Sequence, residues 1–173
     1  MAPKRAPETA LALVEQQVEP WRQEVWQRLW LSVQAQSWGT LAVVPAAAGA
    51  PRDFTLTVAM TLARTGIMHL GVPIQVADGT QIQLSNVSQF LEELRRLRQA
   101  GDLILVAVAA SRESPVTKSL AQAADAALLC VMMEKMGWGE ARETVRTIGR
   151  ERFIGSVLFR PGGGLSSVPP PSR

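Results

Sequence analysis

The sequence predicts an α/β domain: a mainly parallel sheet flanked by helices, in a three-layer, Rossmann-like arrangement. Three observations carry this expectation. Apolar runs recur at 41–44, 102–109, 126–132 and 153–159, each short enough for a strand and apolar enough to be buried on both faces. Segments with helical periodicity separate them. The 173 residues are 47% hydrophobic and 19% charged, which suits one domain with its own core.

The elements follow in order. Residues 1–11 read as a flexible N-terminus. From 12 to about 36, Val14, Val18, Trp21, Val25, Leu29 and Val33 fall at spacings of three and four, one face of an amphipathic helix, and Trp26 and Trp30 widen it. Glu19-Pro20 predicts a break or fresh start, because proline suits a first turn. Three Trp on this segment allow two readings. They cover the domain's own sheet, or some of them face a second subunit or partner.

Residues 39–45 predict the first strand. A loop of small residues follows, then a helix over 53–64 closed by Gly66. The run 67–70 is short and apolar. Over 73–84 an alternating pattern divided by Asp78-Gly79 predicts a hairpin. Ser85 or Asn86 caps a helix whose buried stripe is Val87, Phe90, Leu91, Leu94 and Leu97, and Gly101 ends it. A strand over 102–109, a short helix from Ser114 or Pro115 to about 124, a strand after Asp125, a helix over 138–149 and a strand over 153–159 complete the domain. The composition of 161–173, PGGGLSSVPPPSR, is that of a disordered tail.

Strand, small-residue loop and helix over 39–66 is the layout of a phosphate-binding loop, but the loop lacks the chemistry. G-x-x-x-x-G-K-[ST] curls backbone amides round an anion, with its Lys on the outer phosphates and its hydroxyl on magnesium. Here Gly49 remains, while Pro51, Arg52 and Asp53 stand where glycine, lysine and hydroxyl belong. Proline removes an N–H, and Asp53 puts negative charge where phosphate would sit. Asp53 is also a good N-cap, so the helix needs no ligand.

Other chemistries find little support. His69 is the only histidine, with no partner at metal-ligand spacing. The single Cys130 lies in an apolar run and reads as a buried hydrophobe. Met132, Met133 and Met136 read as core or helix-approach filler rather than a ligand site. A net charge of +3, with Arg and Lys mixed among Glu, argues against a nucleic-acid partner. No apolar run reaches the roughly 18 residues of a membrane span, and no signal peptide is evident. A cytoplasmic protein is expected, with no cofactor.

The residues resemble a family: the cytoplasmic domain of bacterial tyrosine kinases and exopolysaccharide-synthesis ATPases, of the deviant Walker type, kin to septum-positioning and partitioning ATPases. Residues 39–66 resemble its first strand, phosphate loop and helix. DLILVAVAA resembles its aspartate-bearing strand, ADAALLCV the strand after it, and GRERFIGSVLF the segment closing the sheet. EPWRQEVWQRLW resembles its Glu-x-x-Arg oligomerisation segment, with Glu19 and Arg22 in place and Val25 where a second Arg is usual. The departures are consistent. Ala107 replaces the Walker B aspartate, Ala109-Ala110 replaces Pro-Pro, the second aspartate-bearing loop finds no counterpart between 67 and 73, and a chain without tyrosine has no tyrosine-rich tail to phosphorylate.

The resemblance implies a truncated P-loop NTPase-like fold over 12–160 and a catalytically inactive scaffold or pseudokinase. It would act by protein–protein contact in envelope polysaccharide assembly or export. Its partners would be itself or a membrane component of that system, which would hold it at the inner membrane. Glu19, Trp21, Arg22, Trp26 and Trp30 are the candidate contact residues. Two other readings are a degenerate relative of the positioning ATPases that localises other proteins, and a residual ATPase using Arg52 as surrogate lysine. An unrelated α/β binding domain remains a fourth.

Overall fold

A computed structural model describes residues 19–133 and 138–160, and the backbone of 165–168. The elements are α1 (Glu24–Gln34), β1 (Thr40–Pro45), α2 (Phe54–Leu70), β2 (Ile74–Gly79), α3 (Val87–Gln99), β3 (Leu103–Val108), α4 (Thr117–Ala123), β4 (Ala126–Met132), α5 (Trp138–Ile148), β5 (Phe153–Phe159) and β6 (Leu165–Val168). The sheet order is β2-β3-β1-β4-β5-β6. The first five strands are all parallel, and β6 runs antiparallel to β5.

The three layers follow from strand alternation. On β1, Leu41 and Val43 point to one face, where they meet Trp30 and Val33 of α1 and Val58 and Leu62 of α2. Ala42 and Val44 point to the other face, toward Leu94 of α3, Leu120 of α4 and Ile148 of α5. Both faces are covered, so β1 and β3 are continuous runs of buried apolar residues, as a parallel sheet requires. The stripe expected on α3 packs into this second layer, with Leu94 buried and Val87, Phe90, Leu91 and Leu97 half-buried around it. Cys130 is buried in the first layer, and burial pushes its thiol pKa up.

Several expectations are corrected. Gly66 does not cap the helix after β1. It lies buried inside α2, which continues through 67–70 and is closed by Gly71 at φ 70°. A Cβ on Gly66 would stand 2.4 Å from Ile74 Cδ1 and 2.5 Å from Trp30 Cη2, so this glycine serves close packing. The hairpin over 73–84 does not form. Residues 74–79 make a single strand, parallel to β3, whose backbone bonds replace those of a hairpin partner. Asp78 then receives bonds from Thr80, 2.9 Å from the amide and 2.6 Å from the hydroxyl. A strand after the first helix therefore exists, displaced beyond the 67–73 interval, and it carries an aspartate near its end.

Within the expected disordered tail, 165–168 pair with β5, where backbone bonding compensates for a composition poor in core residues. Met133, at the turn after β4, is exposed. Residues 1–18, with Val14 and Val18, the interval 134–137 with Met136, and 161–164 and 169–173 lie outside the described residues. Among the described residues no helix is long and apolar enough to cross a membrane.

Candidate functional site

Connection handedness fixes where a site can form. From β1 the chain leaves through α2, on one face, to reach β2. From β3 it leaves through α4, on the opposite face, and crosses β1 to reach β4. Adjacent strands whose connections depart to opposite faces open a crevice at their carboxyl ends. A cleft of about 340 Å³ lies there, lined by Pro45, Arg52, Thr55, Thr80, Glu113 and Ser114 among others.

The loop after β1 forms one wall. Gly49 has φ 82°, a conformation open to glycine, and its amide donates to Glu113 Oε1 at 2.9 Å. A carboxylate from the β3–α4 loop thus sits on a backbone amide of the loop after β1. Pro51 lines the cleft, and its carbonyl accepts the Phe54 amide at 3.0 Å. Arg52 also lines it, is exposed and forms no ion pair with another described residue. Asp53 occupies the N-cap position of α2, but its carboxylate makes no capping hydrogen bond; its backbone carbonyl accepts from Thr57 at 2.8 Å. The N-cap expectation is therefore right in position and wrong in mechanism. The backbone at φ −89° and ψ 0° departs from the extended geometry from which a cap side chain reaches the first turn.

Ala107 is buried within β3 on the α1–α2 face, with the cleft formed beyond it by Val108, Ala109 and Ala110. The first hydroxyl of α2 is that of Thr55, which is buried and donates to the Val108 carbonyl at 2.8 Å. It ties α2 to β3.

The rim is braced by polar contacts. Thr144 of α5 donates to the Ala46 carbonyl at 3.0 Å and lies 3.4 Å from the Ser111 hydroxyl. Arg112 bonds Glu140 at 3.1 Å and Glu143 at 2.5 Å, fastening the β3–α4 loop to α5. Contact with Glu143 raises the Arg112 pKa further above its ordinary value. The loops after β1 and after β3 are thus attached to α5 and to each other.

Of the candidate contact residues, Glu19 and Arg22 pair at 2.7 Å on the surface. Trp21 is half-buried, with the Arg64 guanidinium 4.5 Å above its ring. Trp26 and Trp30 are only 7% and 1% exposed. They face the sheet, Trp26 beside Phe159 and Trp30 edge-on to Trp38. The reading that Trp covers the domain's own sheet holds for these two.

Sequence reasoning missed Glu113, Thr55 and Asp125. Nothing in the sequence marks Glu113, because its partner Gly49 lies 64 residues away. Asp125 stands just before β4 and accepts the Gly39 and Thr40 amides, each at 2.8 Å. An acid directly before an apolar strand was the available signal. His69 lies in the last turn of α2, and among the described residues no three His, Cys, Asp or Glu group into a metal site. Comparison with protein-family models, curated sequences and solved structures finds no match for this chain.

Proposed function

We propose that this protein is a nucleotide-free scaffold on a P-loop ATPase-like frame, acting by protein–protein contact. The observation that carries the reading is the loop after β1. Its Gly49 amide holds the protein's own Glu113 carboxylate, and negative Asp53 stands at the helix start. Phosphoryl transfer needs a metal on hard oxygen ligands and cationic stabilisation of the moving phosphoryl group. The cleft is lined by Arg52 and Glu113, charges of opposite sign, and by a Thr55 hydroxyl already bonded to Val108. The surface left for partners includes Glu19, Trp21 and Arg22, while Trp26 and Trp30 hold the core. The setting, envelope polysaccharide assembly or export, rests on the family resemblance alone.

Isothermal titration with ATP and magnesium tests the reading. No binding heat is expected, and Arg52→Lys should not create any, because the magnesium ligands would still be missing. A micromolar dissociation constant for the unaltered protein would overturn the proposal in favour of a residual nucleotide site on Arg52.

A further inference from the structure

The sheet ends at β2 without a neighbour. One side of β2 is unpaired, and among the described residues no group bonds to its outer backbone. Such an edge is a template for another strand, and lysine or a bulge commonly blunts it. β2 has neither: its register with β3 is unbroken and its one charge is Asp78. The helix layers also stop short of it. Val76, on the α2 side, and Ala77, on the α3 side, are only half-buried, and Gln75 is exposed, whereas their β3 partners Leu105, Val106 and Ile104 are buried.

The surroundings are apolar. Of the eight large apolar side chains exposed among the described residues, five belong to the segment that builds this edge. They are Met60, Ile67 and Met68 of α2, the last beside a groove next to α1, with Val72 before β2 and Leu84 after it. α2 packs on β2, and Arg64 is the only Arg, Lys, Asp or Glu in its seventeen residues. A helix apolar on its outer as well as its inner face belongs in an interior.

Area and charge point to a second copy. Six strand residues run about 20 Å, and a sheet between two helix layers is about 30 Å deep. The seam is then about 600 Å² per copy, or about 1,200 Å² in all, the lower bound for a specific interface. A two-fold axis normal to the sheet sets β2 antiparallel to itself, with opposed residues on the same face and the register centred on one residue. Centred on Ala77, the two Asp78 carboxylates would be diagonal neighbours, which repel. Centred on Val76, each Val76 meets the other, Gln75 meets Ala77, Ile74 meets Asp78, and the two Asp78 stand about 14 Å apart along the strands.

We propose that two copies of this chain join through β2, edge to edge and antiparallel about Val76, fusing two six-stranded sheets into one with the two α2 helices beside the seam. The inference is independent of the reading of the cleft, and either can fail without the other.

Sedimentation of the full chain at rising concentration tests it. The mass should climb from 18.8 kDa toward twice that value. A chain that stays monomeric at the highest attainable concentration overturns the proposal. A charge swap locates the seam. Gln75 is exposed, so Gln75→Lys and Gln75→Glu should keep the native circular dichroism. In the Val76-centred register the two copies of position 75 are diagonal neighbours. Either variant alone should weaken dimerisation roughly threefold, the size of one like-charge pair. Mixing the two should form a heterodimer at least as tight as the unaltered dimer. A dimer indifferent to both variants, or no gain on mixing, overturns the proposal and places the contact elsewhere. Val76→Cys gives an independent readout, because the native Cys130 is buried and its raised pKa keeps it out of exchange. Directly opposed strand residues lie within the Cα separation that a disulfide spans. Mild oxidation should therefore link two chains roughly tenfold faster than in a control with Glu92→Cys on the exposed face of α3. Linkage no faster than the control overturns the pairing.

Discussion

At Gly66 the absence of a side chain is itself a packing feature. The Trp30 ring and the Ile74 methyl fill the space where a Cβ would stand, at 2.5 and 2.4 Å. Gly66→Ala should therefore destabilise the protein, although alanine is the better helix former by about 1 kcal/mol. Overpacking a fixed ring typically costs about 1–3 kcal/mol, so a net loss of about 1 kcal/mol is expected in the urea midpoint. An unchanged or higher midpoint would mean that Trp30 moves freely. Asp53 gives the opposite expectation. Without a side-chain cap bond, Asp53→Ala should change stability by no more than about 0.5 kcal/mol, the range of ordinary surface positions. A loss of about 1 kcal/mol in the same measurement would restore the carboxylate as a cap.

At the scale of the element, α2 decides how the first layer is built. Its seventeen residues carry Val58, Ala59, Leu62 and Ala63 across the sheet, and its last turn supplies Met68 and His69 to the groove beside α1. The helix stops where Gly71, at φ 70°, returns its amide to the Ile67 carbonyl at 2.8 Å. Gly71→Ala should cost about 1 kcal/mol, because an L-residue is strained in that conformation while the space around it is open. Thermal melting reads the loss, and an unaffected melting temperature would mean that the helix ends earlier. The β2 strand teaches a related lesson. Its alternation and Asp-Gly suit a hairpin locally, yet parallel pairing with β3 from Ile74 to Gly79 satisfies the same backbone and buries Ile74.

Across the whole molecule, Asp125 joins the starts of two central strands. Its carboxylate accepts from Gly39 and Thr40 at the head of β1, its own amide donates to the Thr40 carbonyl at 2.9 Å, and Arg98 of α3 lies 3.5 Å away. Burial disfavours the charged form, but the two amides and Arg98 outweigh it and hold the Asp125 pKa below its ordinary value. A carboxyl with a depressed folded-state pKa contributes stability above its unfolded pKa of about 3.9, and that contribution is lost as pH falls through the folded value. Asp125→Asn should cost about 1 kcal/mol at neutral pH, near the low end for charged hydrogen bonds because the side chain is 47% exposed. The gap between variant and wild type should narrow as pH drops below about 4. Parallel stability curves across that range, followed by denaturant titration, would assign the acid sensitivity elsewhere.

Sequence alone carries the α/β class, the four apolar strands at 40–45, 103–108, 126–132 and 153–159, the stripe of α3, and a first loop that holds Pro51, Arg52 and Asp53 where glycine, lysine and hydroxyl would complete a phosphate-loop motif. These are legible because local periodicity and residue type carry them: a strand buried on both faces must be apolar throughout, and proline cannot donate an amide. Tertiary structure alone decided the rest. Gly66 reads locally as a stop, and only the Trp30 ring packed against it explains why α2 passes through. Trp26 and Trp30 admit a surface reading beside the core one until the sheet covers them. Glu113 reaches Gly49, and Asp125 reaches Gly39, across 64 and 86 residues. Such bonds leave no periodic trace, because each depends on where two distant loops come to lie once the sheet has ordered its strands.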